Sequence, residues 1–184
     1  MKATEELKNE HEGILLMLRI LDAVSTKMNT GEKIQADHLD GMVEFFKVFV
    51  DKCHHGKEED FLFPAMEKAG VTRENGPIDV MLNEHTMGRS LMSAISEAVT
   101  QYKSGDKSAQ DEFGSASAEY IALLTRHIDK ENNILFPMAD MRLTPQEDQQ
   151  LVEAFEQLEH DRIGPGKHEE FHDLLNRLEQ IYLG

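Results

Sequence analysis

The sequence predicts an all-α protein, an antiparallel, up-down-up-down four-helix bundle with a C-terminal helical extension. Apolar residues recur with the helical period along nearly the whole chain. No stretch shows the alternation of β-branched residues that is typical of a strand. Glycine, proline and asparagine lie in short clusters that separate four long helical segments from a tail. Long helices joined by short connections favour antiparallel neighbours in a bundle.

The first two helices are predicted from their apolar stripes and from the turn residues that follow them. The first covers about residues 4–28 and ends at Asn29-Thr30-Gly31. The second covers about residues 36–69 and contains Pro64 near its end. Because proline lacks a backbone N–H, we expect a kink or a tighter turn there.

The third and fourth helices repeat this arrangement. The third is expected over about residues 77–104, with Pro77 in the first turn, where proline is favourable. The fourth is expected from about Lys107 to Asp140, and Pro137 lies near its end.

A tail follows Thr144-Pro145. It is expected to form one helix up to Ile163, a break at Gly164-Pro165-Gly166 and a last helix over about residues 167–183. No second apolar core is evident in it. We therefore predict a bundle domain over residues 1–143 and an extension over 144–184 that packs on the bundle.

Composition excludes several classes of function. With 35 acidic and 19 basic residues the formal net charge is -16, which argues against nucleic acid and anionic membranes as partners. No apolar run reaches the roughly 18 residues of a membrane span. The N-terminus leads directly into an amphipathic pattern without a signal peptide. The single cysteine, Cys53, cannot form an internal disulfide. These features predict a cytoplasmic protein.

The most informative motif pairs a histidine with a glutamate four residues later and ends in Leu-Phe-Pro. It occurs twice, 73 residues apart: His54-x3-Glu58 with Leu62-Phe63-Pro64, and His127-x3-Glu131 with Leu135-Phe136-Pro137. Residues four apart share one helix face at about 5–6 Å. Imidazole nitrogen and carboxylate oxygen suit divalent first-row metals. Two facing copies would supply most of a two-metal site.

The first copy allows two registers, His54/Glu58 and His55/Glu59. Counting back from the proline and matching the second copy selects His54/Glu58. His55 then lies about 100° round the helix, from where it can reach a second metal. Glu59 is either solvated or bonded to a ligand histidine.

Two further histidines, His11 and His85, lie on the apolar sides of the first and third helices. A lone core histidine is more often hydrogen-bonded structure than a ligand. Together, however, they give every helix of the bundle a histidine on or beside its apolar side. Burying four imidazoles and two glutamates without a purpose costs several kcal/mol. Metal coordination would remove that cost.

The other polar residues favour ordinary roles. Cys53 is interpreted as a small buried residue, and Tyr120 as a core residue or a hydrogen-bond donor near the site. His168 and His172 have the spacing of a metal pair, but their polar neighbours favour a surface position. Also expected at the surface are His38, Lys57, Asp60 and His160.

At this point the motifs resemble the hemerythrin-like, or HHE cation-binding, domain family over about residues 4–140. The resemblance implies two non-haem iron ions, bridged by two carboxylates and an oxo or hydroxo group. It implies the following ligands: Glu58 and Glu131 as bridges, His11 and His54 on one iron, His85 and His127 on the other, and His55 as the candidate for its remaining position.

Two departures separate the chain from oxygen-carrying hemerythrins. Those proteins have His-x3-His on the third helix, whereas Met81 lies four residues before His85 here. They also have His-x4-Asp on the fourth helix, where this chain has His127-x3-Glu131. The resemblance is therefore to the broader bacterial group, which includes proteins that react with or sense O2, NO or peroxide, and proteins that handle iron. We expect a small diatomic ligand or peroxide as the partner.

No base, nucleophile or organic-substrate feature of a classical enzyme is evident, so no catalytic residue is assigned. One alternative is a ferritin-like di-iron oxidase, which needs Glu-x-x-His on two helices. The only such spacing is Glu169/His172, in the extension. Another alternative is an interaction module that responds to iron or oxygen through the extension. A homodimer is left open.

Overall fold

The computed structural model describes residues 1–106 and 108–184, and over these residues it is all-α, as predicted. In this part of the chain six helical rods follow one another without a β-strand. The predicted start of the fourth helix at Lys107 lies outside the described residues. None of the helices in the described residues is long and apolar enough to cross a membrane.

Two of the six rods change helix type along their length. Helix α1 is Lys2–Asn29, α3 is Pro77–Lys103, α5 is Pro145–Arg162 and α6 is Lys167–Tyr182. Rod α2 consists of Ala36–Glu44, the π-helical segments Phe45–His55 and Glu58–Leu62, and Phe63–Lys68. Rod α4 consists of Ala109–Lys130, the π-helical segment Glu131–Leu135, and Phe136–Arg142.

The repeated motif ends in a wider turn, so of the kink or tighter turn that we expected at Pro64, the tighter turn is wrong. The Phe63 N–H bonds to the Glu58 carbonyl, five residues back, and the same bond recurs at Glu131 in the second copy. Proline has no N–H and its ring crowds the carbonyl four residues earlier, so the α-helical pattern cannot continue to Pro64 or Pro137. Such π segments are frequent at functional sites.

Hydrogen-bonded pairs show the relative direction of neighbouring helices, because residue numbers rise along one helix of each pair of helices as they fall along the other. The bonded pairs are Glu6–Lys57 and Glu10–His54 for α1 and α2, Asp40–Lys103 and Asp51–Arg89 for α2 and α3, and Thr4–Asp140 and His11–Asn132 for α1 and α4. These helices therefore run in opposite directions.

Two apolar clusters fill the interior, and a polar layer separates them. Along α1, Leu7 belongs to one cluster and Ile14 to the other, while His11 lies between them. The extension contributes to both, with Phe155 of α5 in the first cluster and Phe171 of α6 in the second. The division into a domain over 1–143 and an extension over 144–184 stays a prediction.

Candidate metal centre

All seven side chains that the sequence singled out as ligands meet in the polar layer. They form two groups in which one nitrogen or oxygen of every member lies within 4.8 Å of the others: His11, His54, Glu58 and Glu131 in the first group, and His55, Glu58, His85 and His127 in the second. Each of these residues is at most 4% exposed. Glu58 belongs to both groups, which is the position of a bridging carboxylate.

Each glutamate turns one oxygen toward the first group and the other toward the second. The four distances from oxygen to histidine Nε2 are 3.7 Å for Glu58 Oε1 to His54, 3.3 Å for Glu58 Oε2 to His85, 3.2 Å for Glu131 Oε2 to His11 and 3.0 Å for Glu131 Oε1 to His127. Both carboxylates thus span the two groups, as bridges between two ions would.

The four carboxylate oxygens accept no hydrogen bond from any described residue, although all of them are buried. The histidine nitrogens also lie close to one another. The Nε2 atoms of His11 and His54 are 3.0 Å apart, and those of His85 and His127 are 3.1 Å apart. A buried polar atom without a partner is costly. A cation in each group would pair all of these atoms.

The far side of each of these four rings bonds to an oxygen acceptor. The Nδ1 atoms of His11, His54, His85 and His127 donate to Asn132 Oδ1 (2.9 Å), Glu10 Oε2 (2.7 Å), Glu59 Oε1 (2.7 Å) and Glu84 Oε2 (2.9 Å) respectively. Because the acceptor holds a proton on Nδ1, a ring that gives up any proton on Nε2 when a metal ion binds presents an Nε2 lone pair toward the glutamates. This arrangement is typical of histidines that bind metals. Of the two roles left open for Glu59, the bond to a histidine is the one observed.

Electrostatics in the centre also indicate a place for positive charge. Burial alone would lower the pKa of His127, but the charge of Glu131 and the hydrogen bonds to Glu131 and Glu84 together outweigh burial and raise that pKa to about 10. Burial opposes ionisation of Glu131 as well, yet His127 and His11 hold its pKa well below the usual range. Burial, and then the nearby His85, lower the pKa of His55, which therefore stays a neutral donor.

The comparison with known families agrees with this chemistry. The family described as the Hemerythrin HHE cation binding domain matches residues 2–139. The chain belongs to this family. The resemblance inferred from the motifs is thereby confirmed, and with it a hemerythrin-like helical fold.

Several curated proteins are similar to this HHE domain. An uncharacterized protein of Mycobacterium tuberculosis (strain ATCC 25618 / H37Rv) is 26% identical over 162 residues, which are 88% of this chain and 63% of that protein. The iron-sulfur cluster repair protein YtfE of Escherichia coli O81 (strain ED1a) is 34% identical over 96 residues, 47% of this chain and 40% of its own length. YtfE of Edwardsiella ictaluri (strain 93-146) is 34% identical over 88 residues, with the same coverage of both chains. The chain therefore spans less than two-thirds of these relatives. No solved structure gives a significant match.

Glu59 was considered for a bond to a histidine, but Glu10 and Glu84, which orient two others, were missed at the level of sequence although a signal was present. Glu10 directly precedes His11, and Glu84 directly precedes His85. In each dipeptide the histidine belongs to the candidate centre, while the glutamate bonds to the candidate histidine of the following helix. A repeated Glu-His dipeptide on the first and third helices of an HHE domain would have indicated this role.

The phenylalanine of each Leu-Phe-Pro sequence supports a histidine. Phe136 stacks on the His11 ring, with ring centroids 5.5 Å apart and planes 10° apart. Phe63 stacks on His85 at 6.0 Å and 19°. Both copies of the motif therefore contribute a His–Glu pair and an aromatic ring, and each ring limits how the stacked histidine of a neighbouring helix can turn.

Lys57, before Glu58, and Lys130, before Glu131, each hold a carboxylate that orients a histidine. Lys57 Nζ donates to Glu10 Oε1 at 2.5 Å, and Lys130 Nζ donates to Glu84 Oε1 in the same way. Lys57 is fully buried, so its predicted surface position is wrong. The reason is that Glu6 and Glu159 also accept from its ammonium group, and Glu159 lies too far along the sequence for a local pattern to show the contact.

A third set of candidate ligands, Glu10, Cys53 and Glu159, adjoins this lysine. Its cation is already present, because the Lys57 ammonium bonds to both carboxylates at 2.5 Å. Burial raises the pKa of the Cys53 thiol to about 12, so sulfur stays protonated and is a poor ligand. Cys53 is the small buried residue that the sequence indicated.

The remaining polar predictions are confirmed in part. His38 is buried and its Nδ1 lies 2.7 Å from the Tyr182 hydroxyl, so its expected exposure is wrong because α6 covers it. Asp60, His160 and His172 are exposed as expected, whereas His168 is half-buried. Neither His168 nor His172 belongs to any ligand group found in the described residues.

A groove of about 610 Å³ between α2 and α3 extends inward to the second ligand group. His55 lines its inner end, and Tyr120 is a buried part of its wall that packs edge-on against Phe46. Arg89 joins the two helices at the groove through Asp51 and Glu59, at 2.7 Å each. Tyr120 is thus a core residue of the wall, one of the two roles considered for it.

Proposed function

We propose that this chain binds two non-haem iron ions, bridged by Glu58 and Glu131, and that the loaded centre reacts with or senses a small ligand, namely O2, NO or peroxide. The observation that carries the proposal is the pair of buried glutamates, each with one oxygen toward either histidine group. A mononuclear site would need only one of these groups.

Iron is favoured by the donor set and by the relatives. Imidazole and carboxylate donors suit iron, whereas thiolate, which would favour zinc or copper(I), is missing from both groups. Similarity to proteins named for iron-sulfur cluster repair supports an iron-related role. Bound iron would supply one-electron redox chemistry and a position for an exogenous ligand.

The two ions would have unequal surroundings. With both glutamates as bridges, the first ion receives His11 and His54, whereas the second receives His55, His85 and His127. The first ion therefore has one protein donor fewer, and we propose that the small ligand binds there. Four of the five imidazoles are held by their Nδ1 bonds, so the protein residues contribute rigid orientation and exclude bulk water.

We propose that the small ligand enters through the groove at His55, which reaches the second ion, and passes on to the open position at the first ion, since Glu58 belongs to both groups. Gly88 lines the groove, and a Cβ there would lie 3.8 Å from Tyr120 and 3.9 Å from Leu123, so alanine fits. A Gly88→Leu substitution should fill the groove and slow ligand association about tenfold, equivalent to about 1.4 kcal/mol in the barrier. Gly88→Ala is the matched control, and iron content should be unchanged in both. Equal association rates in both variants would rule out this route.

Iron titration tests the proposal. Anaerobic addition of Fe(II) to metal-free protein should load two ions per chain, measured by metal analysis and Mössbauer spectroscopy. Glu131→Ala should lose the coupled pair, because it removes a bridge. Glu119→Ala, an exposed glutamate on the same rod, should keep it. Retention of two coupled irons by Glu131→Ala would contradict the assignment.

Mixing the reduced protein with O2, NO and H2O2 in separate stopped-flow experiments would distinguish the ligands. A stable spectral change that reverses on ligand removal indicates sensing, whereas turnover of peroxide indicates redox reactivity. No observation favours the ferritin-like alternative, because Glu169 and His172 are exposed on α6 and belong to neither ligand group.

A further inference from the structure

We propose that the C-terminal extension is a positioning part of the metal centre. In this arrangement Glu159 fixes Lys57, Lys57 holds Glu10, and Glu10 orients the ligand His54. The inference rests on the proposed function, since it concerns the ligand of one of the two ions. It gives a role to α5, which lies beyond the residues that match the HHE family.

The chain of contacts is continuous and short. Glu159 Oε1 accepts from Lys57 Nζ at 2.5 Å, and the same ammonium donates to Glu10 Oε1 at 2.5 Å. The other oxygen of Glu10 accepts from His54 Nδ1 at 2.7 Å. Because one carboxylate bonds to both the lysine and the histidine, displacement of the lysine would shift the imidazole.

Burial makes this chain of contacts stiff. Lys57 is 0% exposed and Glu10 is 7% exposed. The Lys57 ammonium lies 5.5 Å from the centroid of the Phe155 ring, which belongs to the same helix as Glu159. A buried ammonium group needs several acceptors. The extension supplies one acceptor and the aromatic surface, so α5 completes the environment that keeps this lysine in place.

The second copy of the motif provides an internal reference. Lys130 stands in the position of Lys57 and holds Glu84, which orients His127. The Lys130 side chain is 32% exposed, however, and Glu84 is its only carboxylate partner in the described part of the chain. The extension therefore positions His54 through Lys57. The equivalent ligand, His127, is positioned through Lys130, which faces solvent and has no contact of this kind with the extension in the described residues.

Metal titration of three variants in the full chain tests this role, with Co(II) or Zn(II) as the probe. Lys57→Met should weaken one of the two metal-binding events by about 10–100-fold, the usual effect of removing an outer partner of a ligand. Glu159→Gln should weaken the same event by at least about threefold, since it replaces a charged acceptor by a neutral one. Glu156→Gln, an exposed glutamate on the same helix, should leave both events unchanged.

A spectroscopic signature separates positioning from general destabilisation. In the diamagnetic zinc-loaded protein, the Nδ1–H protons of the oriented histidines should give separate downfield NMR signals. Lys57→Met and Glu159→Gln should shift the His54 signal and leave that of His127 in place, while Lys130→Met should do the reverse. Double substitution of Lys57 and Glu159 should weaken binding no more than Lys57→Met alone, because the two residues act in one chain of contacts.

The two proposals fail in different ways. Wild-type protein that binds fewer than two metal ions would overturn the proposed function. Wild-type protein that binds two ions, together with unchanged affinities and an unshifted His54 signal in Glu159→Gln and Lys57→Met, would overturn the positioning role. Glu159→Gln keeps the test decisive if Lys57→Met does not fold.

Discussion

The two copies of the His-x3-Glu motif build equivalent halves of one centre and differ in what surrounds them. In both copies the lysine before the glutamate holds the carboxylate that orients the histidine. Around Lys57 this network is buried beneath the extension, whereas around Lys130 it faces solvent. The shared features are those that the two proposed metal ions would need. The differences make the two halves unequal.

A second difference lies at the position after the histidine. The first copy has His55, and the second has Ile128. His55 gives the second ligand group its third imidazole and lines the groove between α2 and α3. Its Nδ1 lacks a hydrogen-bond partner among the described residues. The first copy thus supplies both a histidine without an orienting hydrogen bond, His55, and one held by the buried Lys57 network, His54.

The largest predicted effect compares the two lysines in stability. Lys57→Met should lower the free energy of unfolding of the metal-free protein by about 3–5 kcal/mol, because it leaves buried carboxylates without their cation. Lys130→Met should lower it by only about 0–1 kcal/mol, as for an exposed ion pair. Urea unfolding followed by circular dichroism measures both. Similar losses would mean that burial by the extension does not distinguish the two copies.

The next effect concerns His55. Replacement by isoleucine, the residue of the second copy, should weaken binding of one metal ion by more than about 100-fold, since even the loss of an outer partner costs 10–100-fold. The other ion should bind as before. Isothermal titration with Co(II) would measure both affinities, and two unchanged affinities would remove His55 from the ligand set.

A smaller effect is predicted for the phenylalanine that stacks on a histidine in both copies of the motif. Phe63→Leu and Phe136→Leu should each cost about 1–2 kcal/mol of stability, because each loses an aromatic stack on a histidine and some core volume. The two phenylalanine variants should lose similar amounts of stability, whereas the two lysine variants should differ. If the stability losses of the two phenylalanine variants differed by more than about 2 kcal/mol, the two phenylalanines would not be equivalent.

The smallest effect concerns Cys53, which lies beside the Lys57 network. Burial raises its thiol pKa to about 12, above the value of 9.0 for an unperturbed thiol. The reactive thiolate should therefore be scarce in the folded protein from neutral pH up to about pH 10. Iodoacetamide should label unfolded protein quickly and folded protein slowly over this range. Rapid labelling of the folded protein would show that the network is open to solvent.

Much of the fold, and which side chains meet in the polar layer, could be predicted from the sequence because the decisive signals are local. The helical period and the proline and glycine clusters placed the helices, and the spacing of His54 and Glu58 placed two ligands on one face. The wider turn before Pro64 was missed, because the missing N–H permits a tighter or a wider turn and only packing decides between them.

The surroundings of the ligands were less predictable because they depend on contacts between distant segments. Lys57 lies in a run of charged residues that resembles a surface turn, and only the packing of Glu159 against it reveals its burial. His38 was likewise expected at the surface, and Tyr182 near the other end of the chain covers it. A charged or polar local sequence does not show whether a distant segment will pack over those residues and bury them.

An iron-edge anomalous difference map from crystals of the iron-loaded protein would test the central claim most directly. We predict two peaks between Glu58 and Glu131, one beside His11 and His54 and the other beside His85 and His127. A single peak in this layer, or iron bound only elsewhere in the chain, would contradict the account.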